Sequence, residues 1–288
     1  MKQIFKKNVV KRLSIYSELT VAVHNGVFHA DDVFSIALMK ELANVCNINL
    51  KVIRTRDPQL LSAANMRIDV GMKYSEETLD FDHHQNDPAL LQKESGVMHA
   101  AFGLLCQWCL TDEFLQIFKP KYILGLEHQD NTGGTHPKYA SIGHFIHAFL
   151  PSYEEKVSND DMFEEAVTVA SSILKRCIQT TIGFIKSEQD VKDATTEELA
   201  GGKIVVMKKR IIIQQFLHPD WRFVVSPTPD GGWGFLGLNG QLITPELRGL
   251  TTQTLAEKGY KGTFTHIAGF TGILETKDDA VNVCLASL

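Results

Sequence analysis

The chain has 288 residues, 44% hydrophobic and 22% charged, with 29 basic against 34 acidic side chains for a net charge of −5. That is the mixture of a soluble globular protein, and it excludes a disordered chain, a collagen-like chain and a disulfide miniprotein. Residues 1–195 hold 20 basic and 25 acidic side chains and residues 196–288 hold 9 of each, so neither part carries the positive excess that grips long nucleic acid by counterion release.

Residues 1–17 carry five basic side chains (Lys2, Lys6, Lys7, Lys11, Arg12) and no acid. That composition suits a basic N-terminal arm or a mitochondrial transit segment. Thr20–His24 predicts a short buried strand stopped by Asn25-Gly26, and Asp31 or Asp32 can cap a helix running to about Asn44. Asn49–Thr55, Arg67–Gly71 and Thr78–Phe81 predict three more strands, the last leading directly into Asp82-His83-His84. Strands alternating with helices at this spacing predict an α/β fold with a parallel sheet, in which ligands sit beyond the carboxyl ends of the strands. Helices are expected over Ser95–Leu110 and Glu113–Glu127, then a polar loop, His128–Lys138. The apolar run Gly96–Leu110 is 15 residues long and contains His99 and Gln107, short of the about 20 apolar residues of a membrane span. From Phe163 to Ile185 apolar residues keep helical spacing, and polar residues 187–202, ending in Gly201-Gly202, predict a linker. Beyond it the pattern changes to strands over Lys203–Met207, Ile211–Phe216, Trp221–Ser226 and Gly234–Leu238, with turns at Pro219-Asp220 and Asp230-Gly231-Gly232. The chain thus divides into an α/β domain, residues 1–195, and a smaller α+β domain, residues 196–288.

Imidazoles and carboxylates recur at the ends of the predicted strands and in the loops after them: His24 and His29 with Asp31, then Asp69, then Asp82-His83-His84, then Asp130 behind Glu127-His128. Nitrogen and oxygen ligands without thiolate suit Mn2+, Fe2+, Co2+ or Mg2+ better than a structural zinc. Two such ions acting on a phosphoryl group need a carboxylate between them, and Asp69, alone on its strand end, is the natural bridge. Asp31 or Asp32 by itself would be a helix cap, and His99 or His147 in an apolar helix is ordinarily a hydrogen-bonded core residue. Recurrence in four places is what points to a metal. Cys106-x2-Cys109 has redox spacing but lies inside an apolar helix, which makes it a pair of core thiols. Five cysteines, few and odd in number, fit a reducing compartment. Arg54-x-Arg56-Asp57 suits a solvated strand end better than a phosphate grip. Gly231-Gly232-x-Gly234 is a hairpin turn rather than a dinucleotide loop, because strands follow it.

The order His…Asp, Asp, Asp-His-His, Asp resembles that of the DHH phosphoesterase superfamily, which includes manganese-dependent inorganic pyrophosphatases and exonucleases that degrade oligonucleotides. HNGVFHADD (24–32), VIRTRD (52–57), IDVGMKY (68–74), FDHHQ (81–85), Ser95-Gly96 and DNTGG (130–134) resemble, more closely, the melanocyte proliferating gene (Myg) family of DHH-like exonucleases. WRFVVSP (221–227), ELRGL (246–250) and HIAGF (266–270) extend the resemblance over nearly the whole chain. It implies a DHH-type N-terminal domain in which His24, His29 and Asp69 hold one metal and Asp31, Asp69, His83 and Asp130 hold the other. It further implies a catalytic pair, with His84 facing the substrate phosphate and Asp82 orienting the imidazoles. His29 stands where the general DHH pattern usually has aspartate, although the Myg-like pattern has this histidine. The exchange removes a negative charge and favours a borderline transition metal over Mg2+. From the C-terminal domain, which would close the cleft, the resemblance implies phosphate-binding groups. These are Arg248, His266 and Gly269, with Arg222 behind them, and Arg248 and His266 would also act in catalysis.

The activity so implied is hydrolysis of a phosphodiester with two divalent ions, Mn2+ foremost and Mg2+, Co2+ or Fe2+ as alternatives. RNA or a short oligonucleotide, degraded from the 3′ end, is the expected substrate and partner. Alternatives on the same residues are a small-molecule phosphatase or pyrophosphatase, and a non-catalytic metal-binding protein. No membrane partner is expected, a homodimer is compatible with the sequence, and the expected compartment is the cytoplasm, with the mitochondrion as alternative.

Overall fold

In the computed structural model, residues 2–85, 87–210 and 220–288 are described, and they fall into two units, Met1–Ile182 and Gly183–Leu288. The first unit opens with a basic helix, α1 (Lys7–Leu13), followed by β1 (Glu18–Val23), whose Leu19, Val21, Ala22 and Val23 are fully buried. α2 (Ala30–Cys46) is buried on nearly every face, as a helix apolar all round must be, and ends at Asn47 in the left-handed conformation, φ 55°. β2 (Asn49–Arg54), α3 (Pro58–Ala63), β3 (Met66–Ile68), β4 (Tyr74–Ser75) and β5 (Asp80–Phe81) complete a sheet of order β2-β1-β3-β5-β4. β1 is parallel to β2 and to β3, and β3 is parallel to β5, with Val21 opposite both Val52 and Met66 and Ile68 opposite Phe81. β4 is antiparallel to β5. The four predicted strands pair in parallel, and the sheet gains at this edge one antiparallel strand that the sequence reading did not include. The connection Glu76–Leu79 is far too short for a crossover, which needs a dozen or more residues, so these two strands can only form a hairpin.

Five helices follow: α4 (Ala101–Cys109), α5 (Asp112–Tyr122), α6 (Leu124–Thr132), α7 (Gly143–His147) and α8 (Asn159–Ala194). The helix predicted from Ser95 begins only at Ala101, because Gly96 takes positive φ (71°) and Leu91 bridges Met98 in an antiparallel contact. The helix predicted over Glu113–Glu127 divides at Ile123. His128–Thr132, predicted as loop, continue α6 as far as the left-handed cap Gly133, so Asp130 stands on a helix. Where a linker was predicted, α8 runs on to Ala194 and passes directly into β6 (Thr195–Leu199), leaving only the turn at Ala200–Gly202 irregular. The division between the two units lies inside α8.

The second unit adds β7 (Ile204–Met207), β8 (Phe223–Pro227), β9 (Trp233–Gly237), α9 (Thr252–Glu257), β10 (Gly262–Thr265), β11 (Thr271–Leu274) and α10 (Lys277–Leu285). Its sheet has the order β10-β11-β9-β8-β7-β6, antiparallel except for β7 with β8. The period-2 alternation of strands sets its layers. Ile204, Val206, Phe223, Val225 and Phe235 pack with Val283 and Cys284 of α10, while Val205, Met207 and Val224 face Val191, Trp221 and Leu238. β8 and β9 form the hairpin predicted around Asp230-Gly231-Gly232, with Gly231 at φ 89°. The predicted strand Ile211–Phe216 and the turn residue Pro219 lie outside the described residues. Among the described residues, no helix is long and apolar enough to cross a membrane.

Candidate metal centre

β1, β3 and β5 are parallel and end at Val23, Ile68 and Phe81, so the next residues, His24, Asp69 and Asp82, leave the sheet along one edge. Asp69 turns at once into the left-handed region, φ 53°, its N–H donating to the Phe81 carbonyl at 3.0 Å. Aspartate is among the few side chains that visit this region readily. The turn buries its carboxylate between two imidazoles, Oδ2 at 3.2 Å from His24 Nε2 and Oδ1 at 3.4 Å from His83 Nε2. His83 Nε2 also lies 3.1 Å from Asp130 Oδ2 on α6. Ligand atoms of His24, His29 and Asp69 lie within 4.8 Å of one another, as do those of Asp31, His83 and Asp130, and those of Asp69, His83 and His84. The six residues expected as metal ligands are thereby brought together, with Asp69 and His83 each shared between two groups.

The supports of these residues come from distant parts of the chain. The loop between His24 and His29 turns at Gly26 (φ 86°) and is braced by two arginines. Arg54 donates to the Gly26 carbonyl at 2.7 Å, pairs with Asp160 and lies over the rings of Phe28 and Phe163, at 5.7 and 4.5 Å. Arg56 donates to the Asn25 carbonyl and to Asn25 Oδ1. Arg54 is thus a brace rather than the solvated strand end expected, its side chain only 6% exposed, while Asp57 caps α3. Asp31 does not cap α2. Its oxygens accept from the Ala101 and Phe102 N–H groups at 2.8 and 2.9 Å, at the start of α4. Asp82 accepts from the N–H of Met72, His83 and His84, and its Oδ1 lies 2.7 Å from His84 Nδ1. The side chain of His84 is about half exposed (53%).

Two groups went unassigned at the level of sequence. Asp32, which there reads only as a cap, does accept from the His29 N–H, and its other oxygen lies 3.4 Å from His24 Nε2. Glu127, fully buried, accepts from Gln92 Nε2 at 2.7 Å and sits 2.8 Å from His99 Nδ1, so His99 is the hydrogen-bonded core residue expected. Asn131 Nδ2 ties the Glu127 carbonyl to those of Met98 and His99, directly beside Asp130. The Asp-Asn pair after Glu127 was the available signal.

Electrostatics set the character of the cluster. Burial raises Asp31 far above the carboxylate range, with Asp130 and Asp69 adding to it, and burial pushes Asp32 up to about 7. Burial would raise Asp69 too, but the imidazoles of His24 and His83 hold it well below its ordinary value. Burial opposes a charge on His83, yet the carboxylates of Asp130 and Asp69 push it up to about 11. His24 is raised in the same way against its burial by Asp69 and Asp32, whereas burial lowers His29. His84 is raised chiefly by its hydrogen bond to Asp82. Asp32 Oδ2, Asp69 Oδ1 and His83 Nε2 are buried without a hydrogen-bond partner. Carboxylate oxygens buried without a donor call for a cation, and this set of imidazoles and carboxylates fits one or more divalent metal ions.

In the second unit, Arg248, His266 and Gly269 meet around the β10–β11 turn. Gly269 has φ 77°, and a Cβ there would fall 2.7 Å from Arg248 Nε, so only glycine lets the arginine lie against it. Arg248 Nε donates to the Ile243 carbonyl, while His266 Nδ1 accepts from the Ala268 N–H. Arg222 lies just before β8, with its guanidinium 3.5 Å from the Trp221 carbonyl.

A family model described as an uncharacterised protein family, MYG1_exonuc (UPF0160), matches residues 20–107, which run from within β1 through β5 and hold most of the cluster. A MYG1 protein of Dictyostelium discoideum is 40% identical over 322 aligned positions, covering 94% of this chain and 97% of that protein. A MYG1 protein of Schizosaccharomyces pombe is 26% identical over 180 positions, 54% of this chain, and the chain spans about half (55%) of that relative's length. A Mus musculus relative named MYG1 exonuclease is 37% identical over 65 positions, 23% of this chain and 17% of that protein. Near full-length similarity at this identity, together with the family-model match across the cluster-bearing strands, makes the chain a member of the MYG1 family.

Proposed function

We propose that the chain is a metal-dependent phosphodiester hydrolase of DHH type, a 3′–5′ exonuclease acting on RNA or short oligonucleotides. The observation that carries this reading is Asp69, a buried carboxylate with one oxygen toward His24 and the other toward His83. A carboxylate so placed supports Asp69 as a residue that would contribute to both sites. His24 and His29 would complete one site, and Asp31, His83 and Asp130 the other, each for a divalent ion with Mn2+ foremost. When bound, such ions would stabilise the attacking and leaving oxygens of a phosphoryl displacement.

The chain's own residues supply the remainder. Asp82 accepts the Nδ1 proton of His84 and favours the imidazolium form of this half-exposed ring, whose Nε2–H would pass its proton to the departing oxygen and leave the neutral imidazole behind. The N–H groups at the start of α4 hold Asp31 in one orientation. Within the second unit, Arg248 and His266 beside Gly269 are assigned as an oxyanion-binding group, because His266 Nδ1 is occupied as an acceptor and its Nε2 is left as the donor. The name exonuclease carried by the mouse relative supports the reading.

The test is an end-labelled seven-residue RNA incubated with Mn2+ and either wild type or the double variant Asp69→Ala, His83→Ala. A 3′-trimmed ladder with wild type alone is expected. Pyrophosphate turned over far faster than RNA would replace the reading with a small-molecule phosphohydrolase, and metal binding without any turnover would leave a binding role.

A further inference from the structure

A cavity of about 350 Å3 adjoins the metal cluster and shares His29 and Asp130 with it; its remaining wall includes Gln129 on α6 and His144 and His147 on α7. Its size falls at the low end of small-molecule sites, roughly 300–1,000 Å3. His144 and His147 stand three residues apart on one face of α7. Gln129 Nε2 lies 3.2 Å from His144 Nδ1, which leaves Gln129 Oε1 buried and without a hydrogen-bond partner. Gly143 makes this arrangement fit, since a Cβ there would fall 2.4 Å from Gln129 Oε1. No lysine or arginine lines the cavity, and Asp130 is on its wall, so its chemistry does not favour a second phosphate. Flat imidazoles and an unsatisfied amide acceptor instead match a planar heterocycle carrying an amino group.

We infer that this cavity seats the base of the nucleotide whose phosphate is cleaved, stacked on the imidazoles of His144 and His147, with Gln129 Oε1 accepting from its exocyclic amino group. The identity of the cleaved phosphate rests on the function proposed above; the recognition of a base does not. Calorimetric titration of the full chain with adenosine 5′-monophosphate and with ribose 5-phosphate, with and without Mn2+, separates the two. The nucleotide is expected to bind at least tenfold more tightly than the sugar phosphate. The double variant His144→Ala, His147→Ala, whose side chains are exposed, is expected to lose that preference. Gly143→Ala is expected to weaken it by displacing the Gln129 amide. Equal binding of the two ligands by wild type, or a preference kept in the double variant, would overturn the inference. A base preference in a protein that cleaves no RNA would remove only the hydrolase reading, and RNA cleavage without a base preference would remove only this one.

Discussion

Asp69, directly after β3, and Asp80, which opens β5, are both buried carboxylates, yet they have opposite needs. Asp80 is satisfied within the protein, by Arg67, Thr78 and Lys73, which hold its carboxyl below the usual range against its burial. A depressed carboxyl contributes stability above the unfolded value of about 3.9 and loses it as pH falls through the folded value. Asp80→Asn should therefore cost about 3 kcal/mol in urea unfolding at pH 7, with the gap to wild type starting to close below about pH 4. Asp69 has only imidazoles for partners, and its Oδ1 is unsatisfied. Asp69→Asn should weaken Mn2+ binding by at least about a hundredfold, as measured by calorimetry. Because His83 is pushed up to about 11 and Asp31 is raised far above the carboxylate range, Mn2+ binding should release at least one proton at pH 7.5 and tighten as pH rises. Calorimetry in buffers of different ionisation enthalpy reads this directly, and a buffer-independent heat would count against His83 as a ligand.

Among the elements, α4 and α6 show how a helix pair aims ligands it does not itself surround. α4 turns its first N–H groups on Asp31, α6 carries Asp130, and the two are locked by Glu127 against Gly103. A Cβ at Gly103 would fall 1.6 Å from Glu127 Oε1. Gly103→Ala should cost about 1–3 kcal/mol by overpacking and lower Mn2+ affinity as well, because Asp130 moves with Glu127. Burial raises the Cys106 and Cys109 thiols, and both are free inside α4. In native protein, therefore, only the partly exposed Cys177 should react with a thiol reagent, the others following on unfolding. Apolar periodicity made these helices legible, but it could not place their ends. Gly96 and Leu91–Met98 delay α4, and the polar face of α6 reads as loop until Glu127 is seen to be buried.

For the whole molecule, a net charge of −5 with no positive excess in residues 1–195 or 196–288 remains consistent with a substrate held at a few phosphates. Affinity for a short RNA should then fall with salt at a log–log slope no steeper than about −2, the value for about three single-strand phosphate contacts. A slope several times steeper would require an extended basic surface. The two units are built on different rules. Parallel strands in the first unit gather side chains at one edge, whereas in the second Arg248, from the segment before α9, meets His266 and Gly269 on the β10–β11 turn of a mostly antiparallel sheet.

The sequence by itself determined the parallel α/β core, the strand ends, and the residue types and order of the metal cluster. These are local properties: apolar period, turn chemistry and the nitrogen and oxygen donors of single side chains. Only the tertiary structure decided which carboxylates stand in the His/Asp cluster as candidate ligands and which support it. Asp31 meets its N–H donors some 70 positions away at Ala101 and Phe102, and Arg54 finds Asp160 across 106. The same holds for Asp32 beside His24, the helix under Asp130, the hairpin at β4 and the cavity at His144. Each depends on a partner whose distance in sequence carries no signal, because buried polar groups are satisfied by whatever packing brings within reach.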